Sequence, residues 1–131
     1  MAATHTANPF SPRWLQGAMQ TNIWLAVTIG LFLLMWMVKR PDITANAARE
    51  LLSNGALLVD VRSPSEFSSG HLKGAKNIPV QAIGQRTAEL GSKDRPVILY
   101  CASGTRSAMA KRTLKAAGFS RVHNLGAMRN W

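Results

Sequence analysis

The chain has 131 residues and carries 16 lysines and arginines against six acidic residues, a formal net charge of +10. This length allows one modest domain and one additional segment. The chain has a single cysteine, Cys101, which excludes an intramolecular disulfide and a zinc site built from several cysteines. The three histidines, His5, His71 and His123, lack metal-ligand spacing. No metal or organic cofactor is therefore expected.

The N-terminal part of the chain contains one long apolar run. Residues 1–21 are polar and are predicted to form a tail. Residues 22–40 are predicted to form a transmembrane helix, because every residue from 23 to 38 is apolar or small except Thr28 and no charge interrupts the run. Together with residues 19–22, the run reaches the roughly 17–25 residues that a helix needs to cross a bilayer, so membrane lipid is an expected partner.

Basic residues around the apolar run predict its orientation. Only Arg13 precedes the run, whereas Lys39, Arg40 and Arg49 follow it. The positive-inside tendency then places the N-terminus outside and the C-terminal domain in the cytoplasm. Two alternatives remain, namely a helix buried in a soluble core and a signal peptide cleaved after the small residues at 45–47.

Alternating helices and strands are predicted over residues 42–131. The helices are 45–52, a short one that begins at 63–64, 80–90 and 106–117, and the strands are 56–61, 75–79, 96–100 and 121–124. The strands are short and largely apolar, which is typical of a parallel sheet covered by helices on both faces. The predicted fold class is therefore α/β, and a ligand is expected at the carboxyl ends of the strands.

The lone cysteine lies where a strand ends and a helix is about to begin. Small residues follow it, in the order Ala102, Ser103, Gly104 and Thr105, and Arg106 opens the helix. The free backbone N–H groups of such a loop and the helix dipole lower a thiol pKa and hold an anion. The alternative is that Cys101 is a small buried hydrophobic residue. The loop composition favours a thiolate enzyme that acts on an anionic substrate.

The C-terminal end of the chain is strongly basic. After position 94 there are seven basic residues and no acidic residue: Arg95, Arg106, Lys111, Arg112, Lys115, Arg121 and Arg129. We interpret them as a solvated basic face, which anionic lipid headgroups would attract if a membrane lay nearby. Nucleic-acid binding is not expected, because neither a recognition motif nor interleaved aromatic residues accompany the charge.

Two stretches of the chain resemble the rhodanese homology domain, which is a sulfurtransferase family. The first is 60–67 with 70–75 and 77–79, and the second is 100–107 with 118–119 and 124–131. The resemblance covers residues 42–131. It implies a small doubly wound parallel-sheet domain whose cysteine carries a persulfide, with the transmembrane helix as an added anchor.

The resemblance also implies roles for individual residues. Cys101 would carry the sulfur, and Arg106 would hold the loop or the substrate. The backbone amides of Ala102, Ser103, Gly104, Thr105 and Arg106 would stabilise the thiolate and the incoming anion, and Asp60, Arg62, Glu66 and His71 would support the loop. The partners would be a small anionic sulfur donor and a thiol acceptor.

Three functions are weighed on this basis. The first is a membrane-anchored sulfurtransferase that moves sulfane sulfur from thiosulfate or a persulfide donor to a thiophilic acceptor. The second is a non-catalytic accessory subunit of a larger membrane complex. The third is a cysteine-dependent phosphatase, which is disfavoured because the related phosphatases have five residues between cysteine and arginine and this chain has four. One departure from the family pattern is Ala127, which would cost about 1 kcal/mol if its position needed a positive φ.

Overall fold

A computed structural model describes residues 13–38 and 40–131 of the chain. The chain divides into two compact units, with the boundary between Trp36 and Met37. Residues 1–12 of the predicted tail and Lys39 of the predicted transmembrane segment lie outside the described residues.

The described part of the first unit is helical and belongs to helix α1, whose bounds are Arg13–Val38. It begins inside the segment 1–21 that the sequence predicts as a tail. Its large apolar side chains are exposed, with Trp24 at 69% and Phe32 at 64%. Among the described residues, no helix has both the length and the apolar character that crossing a membrane requires. The structure therefore does not support the predicted transmembrane helix.

The second unit contains a four-stranded, fully parallel sheet. Its strands are β1 (Leu57–Asp60), β2 (Lys76–Asn77), β3 (Val97–Cys101) and β4 (Val122–Ala127). Their order across the sheet is β2-β1-β3-β4, so β3 is a central strand. All five residues of β3 are buried, as a strand covered on both faces requires. The predicted α/β parallel-sheet fold is confirmed.

The domain has three helices, α2 (Ala45–Ser53), α3 (Pro64–Ser68) and α4 (Thr105–Ala116). Of these, α2 and α4 supply buried residues to the cores on the sheet, whereas α3 has none. Thr44 caps α2 and accepts a hydrogen bond from the backbone N–H of Ala47. One core packs Ala110 and Leu114 of α4 against one face of the sheet, and a second packs Ala48 of α2 against the other face. The domain is therefore doubly wound.

The prediction of a helix over residues 80–90 is wrong. Residues 80–85 form turns, and only a short 3-10 helix, Thr87–Leu90, follows them. Ile83 and Leu90 are fully buried, so this irregular segment still contributes to the core. Its helical pattern is weak because Gly84 lies inside it, and an interior glycine disfavours a helix by about 1 kcal/mol relative to alanine.

Candidate active site

Cys101 is the last residue of β3 and is fully buried. It therefore lies at the carboxyl edge of the parallel sheet, where the fold class predicts a ligand site. It pairs with Ala127 of β4 after a register shift between Leu99 and Tyr100. Sheet pairing thus holds the cysteine backbone on a central strand, and the loop that follows is free to turn back over the sulfur.

The loop after Cys101 turns back and contacts the sulfur atom. The backbone N–H of Gly104 donates a hydrogen bond to Cys101 Sγ at 3.0 Å. Gly104 has φ 92°, a left-handed conformation that favours glycine, and it stands directly before α4. Gly104 is buried, whereas Ala102, Ser103 and Thr105 are exposed. The loop therefore contacts the sulfur through the Gly104 N–H, and its outer side is open to solvent.

Ser107 is a site residue that the sequence reasoning did not select. Its hydroxyl donates to the carbonyl oxygen of Gly104 at 3.1 Å and lies 3.6 Å from Cys101 Sγ. The residue is fully buried in the first turn of α4. A small hydroxyl residue directly after Arg106 is the only signal in the sequence for this contact.

The environment of Cys101 lowers the pKa of its thiol. Burial opposes ionisation, but the backbone N–H and hydroxyl of Ser107 and the backbone N–H groups of Ser103 and Gly104 outweigh it. Hydrogen bonds to the charged form of a group favour that form. The site thus favours the nucleophilic thiolate form of Cys101 through hydrogen bonds from residues 103, 104 and 107.

We expect iodoacetamide to alkylate Cys101 with a pH midpoint below about 8.5, the value of a free thiol. Because the pKa is lowered, the thiolate persists as the pH falls and is lost only below that midpoint. The measurement is the alkylation rate of the native protein against pH, with the urea-unfolded protein as the control. Equal midpoints for the two forms would contradict the proposed electrostatics.

Arg106 is occupied by an ion pair with Glu66. Its Nη1 and Nη2 donate to Glu66 Oε2 at 2.6 Å and Oε1 at 2.9 Å. The Arg106 guanidinium, followed by the backbone N–H and hydroxyl of Ser63, holds the pKa of Glu66 well below its usual range. Ser63 and Glu66 also form the capping box of α3. The pair therefore ties the start of α3 to the first turn of α4, directly after the loop at Cys101.

We expect Arg106→Ala to reduce the specificity constants for thiosulfate and for a neutral persulfide donor to the same extent, by up to about 100-fold, because the loop that holds the sulfur is displaced. The measurement is the ratio of the two constants in wild type and variant. Arg121→Ala, an exposed arginine at the amino end of β4, is the control. A selective loss with thiosulfate would show instead that Arg106 recognises the anion.

Asp60 and Arg62 form a second, buried ion pair. Arg62 Nε lies 3.0 Å from Asp60 Oδ1, and Arg62 Nη2 lies 2.7 Å from Oδ2. Arg62 Nη2 also donates to the carbonyl oxygen of Gly70 at 2.6 Å. The Tyr100 hydroxyl accepts a hydrogen bond from the backbone N–H of Leu72 at 3.0 Å. These contacts fix the segment between α3 and β2 on the sheet.

The predicted loop-support residues thus divide into two groups. Glu66 forms an ion pair with Arg106, which lies in the first turn of α4 next to the loop. Within the described part of the chain, Asp60, Arg62 and His71 form no hydrogen bond with residues 101–106. His71 is exposed, stacks on Phe67 with ring centroids 3.7 Å apart, and has its Nδ1 2.8 Å from the Phe67 carbonyl oxygen. Across residues 13–38 and 40–131, no group of three acidic, histidine or cysteine side chains could hold a metal ion.

Comparison with known proteins agrees with this architecture. The family model of the rhodanese-like domain matches residues 44–131. The uncharacterized protein YqhL of Bacillus subtilis is 44% identical over 77 residues, which cover 58% of this chain and 60% of that protein. A sulfurtransferase of Allochromatium vinosum is 38% identical over 89 residues, which cover 68% of this chain and 82% of that protein.

A solved structure shares the fold. The human single domain sulfurtransferase TSTD1 superposes with a TM-score of 0.61 and 28% identity, over 70% of this chain and 95% of that one. The match of the family model extends over more than half of the residues and contains both ion pairs and the loop at Cys101. The chain belongs to the family of rhodanese-like domains.

Proposed function

We propose that this chain is a sulfurtransferase in which Cys101 carries sulfane sulfur as a persulfide. The observation that carries the proposal is the buried Cys101 sulfur, which accepts a hydrogen bond from Gly104 N–H inside a loop with four residues between cysteine and arginine. The sulfurtransferase names of the relatives support the same activity. The short loop argues against the phosphatase alternative.

The first step transfers sulfur to the enzyme. The Cys101 thiolate attacks the outer sulfur of thiosulfate, an Sγ–S bond forms, and sulfite leaves with the electron pair of the broken S–S bond. A persulfide donor reacts in the same way and leaves as a thiolate. The backbone N–H groups around the sulfur stabilise the negative charge that the persulfide retains, which is a preorganised electrostatic effect.

The second step returns the enzyme to its thiolate form. An acceptor thiolate or cyanide attacks the outer sulfur of the persulfide, and Cys101 leaves as the thiolate that the lowered pKa favours. Two half-reactions on one nucleophile predict ping-pong kinetics.

Mass spectrometry after incubation with thiosulfate tests this proposal. We expect Cys101 to gain the mass of one sulfur atom, and cyanide to remove it with the release of thiocyanate. Iodoacetamide-treated protein is the control. An unmodified Cys101 after exposure to both thiosulfate and a persulfide donor would contradict the function.

We propose further that the apolar run attaches the chain to a membrane with the domain in the cytoplasm. Support comes from the uncharged run 23–38, from the basic residues that follow it, and from the exposed apolar side chains of α1. We expect the chain to resist extraction with alkaline carbonate and a C-terminal reporter to be active in the cytoplasm. Release by carbonate, or cleavage after Ala47, would contradict the attachment.

The exposed helix also supports the second candidate function, an accessory subunit. Side chains such as Leu31 and Met37, 61% and 66% exposed, could pack on the helices of a larger complex as well as on lipid. Purification in a mild detergent separates the candidates. A free monomer that transfers sulfur supports the enzyme, and an inactive chain in a stoichiometric complex supports the subunit.

A further inference from the structure

A cavity of about 270 Å³ lies on the domain surface at a place other than the Cys101 loop. One side is formed by α4 residues spaced three and four apart, which share one face of the helix. The polar and charged residues that line the cavity are Arg40, Asp42, Lys111, Arg112, Lys115 and Asn124. None of residues 101–106 lines it.

The charges around this cavity are unbalanced. Four cationic side chains line it, and Asp42 is the single carboxylate among the lining residues. That carboxylate already has partners, because it forms an ion pair with Lys111 and accepts a hydrogen bond from the backbone N–H of Asn124 at 2.9 Å. Asp42 and Lys111 therefore hold the segment before α2 on the domain, and this carboxylate does not neutralise Arg112 or Lys115.

Among residues 13–38 and 40–131, Arg112 and Lys115 have no counter-ion. Arg112 is exposed and forms no hydrogen bond or ion pair with these residues. Within the same part of the chain, Lys115 Nζ donates to the neutral carbonyl oxygen of Ser120 at 3.0 Å and to no carboxylate. A concave site with several cations raises the local concentration of anions, and an arginine fork matches the oxygens of a phosphate group.

We propose that this cavity is a second anion site, which binds the phosphate group of a phosphate ester or of free phosphate. The volume is ample for a phosphate group and too small for a folded partner. Arg112 and Lys115 supply the uncompensated charge, and Lys111 adds a third donor from the same helix face. This site is separate from the Cys101 loop. The proposal does not depend on whether Cys101 carries sulfur.

The phosphate group can come from two sources, a lipid headgroup or a soluble phosphate. The test uses the full chain in an uncharged detergent and records amide and arginine side-chain resonances by NMR. Inorganic phosphate is added in one arm and short-chain phosphatidylglycerol in the other, at constant ionic strength with chloride. We expect saturable shifts at residues 108–115 and 124 in at least one arm, with dissociation constants in the millimolar range or below.

A pair of double variants separates the site from general charge effects. Arg112→Gln with Lys115→Gln should abolish these shifts and leave any phosphate response of the loop 102–106 unchanged. Lys73→Gln with Lys93→Gln removes the same charge at exposed positions that do not line the cavity and should retain them. The arm with the lower dissociation constant identifies the source of the phosphate group. No saturable shift in either arm, or equal shifts in both double variants, would overturn the proposal.

His123 provides a second readout. Burial and then Lys111 lower its pKa, Asp42 opposes them, and Arg121 and Lys115 lower it further. An anion bound against the two lysines should therefore raise the pKa of His123 in the wild-type chain. The expected result is a rise that saturates together with the amide shifts, and an unchanged pKa at saturation would contradict binding at this cavity.

Discussion

Replacing Cys101 with serine should abolish sulfur transfer and leave the fold intact. The chain contains no other thiol to carry the sulfur. A serine hydroxyl can accept the Gly104 N–H hydrogen bond that the sulfur accepts, but it is not ionised near neutral pH and forms no persulfide. We expect the rate to fall to background, a loss of at least about 1000-fold.

The measurement is the production of thiocyanate from thiosulfate and cyanide by wild type and Cys101→Ser. Thermal unfolding of both proteins controls for the fold, because the substituted atom is fully buried. A folded Cys101→Ser variant with a rate close to that of wild type would rule out Cys101 as the sulfur carrier.

Local features of the site were predictable from the sequence. Thr44 and the pair Ser63 and Glu66 form caps in the structure, because a helix start depends on residues only a few positions apart. The position of Cys101 at a strand end was predictable from the apolar run before it. Gly104 adopts a positive φ, which a glycine can do because it has no Cβ.

Features that depend on distant residues were not predictable in this way. The sequence leaves two roles open for Arg106, and its contact with Glu66, which lies 40 residues away, is visible only in the structure. The buried hydroxyl of Ser107 depends likewise on the path of the loop. Ala127 has φ −76°, so it carries no strain, and the positive φ of 83° lies at Gly126 instead.

The two ion pairs differ in what their loss should do. Arg106 and Glu66 are partly exposed, with about a third of each side chain accessible, and water can solvate either partner after the other is removed. Asp60 is fully buried and Arg62 is 7% exposed, so neither can be solvated alone. Loss of the first pair should therefore affect activity most, and loss of the second should affect stability.

Asp60→Ala should destabilise the domain by about 3–5 kcal/mol, because it leaves the Arg62 guanidinium buried without a counter-ion. It also removes the acceptor of the Arg62 backbone N–H, at 2.8 Å. For a domain of this size the melting temperature should fall by more than about 10 °C. The measurement is urea unfolding followed by circular dichroism, with Asp94→Ala as the control because Asp94 is exposed. A loss below about 1 kcal/mol, the value of a surface pair, would contradict a structural role for this buried pair.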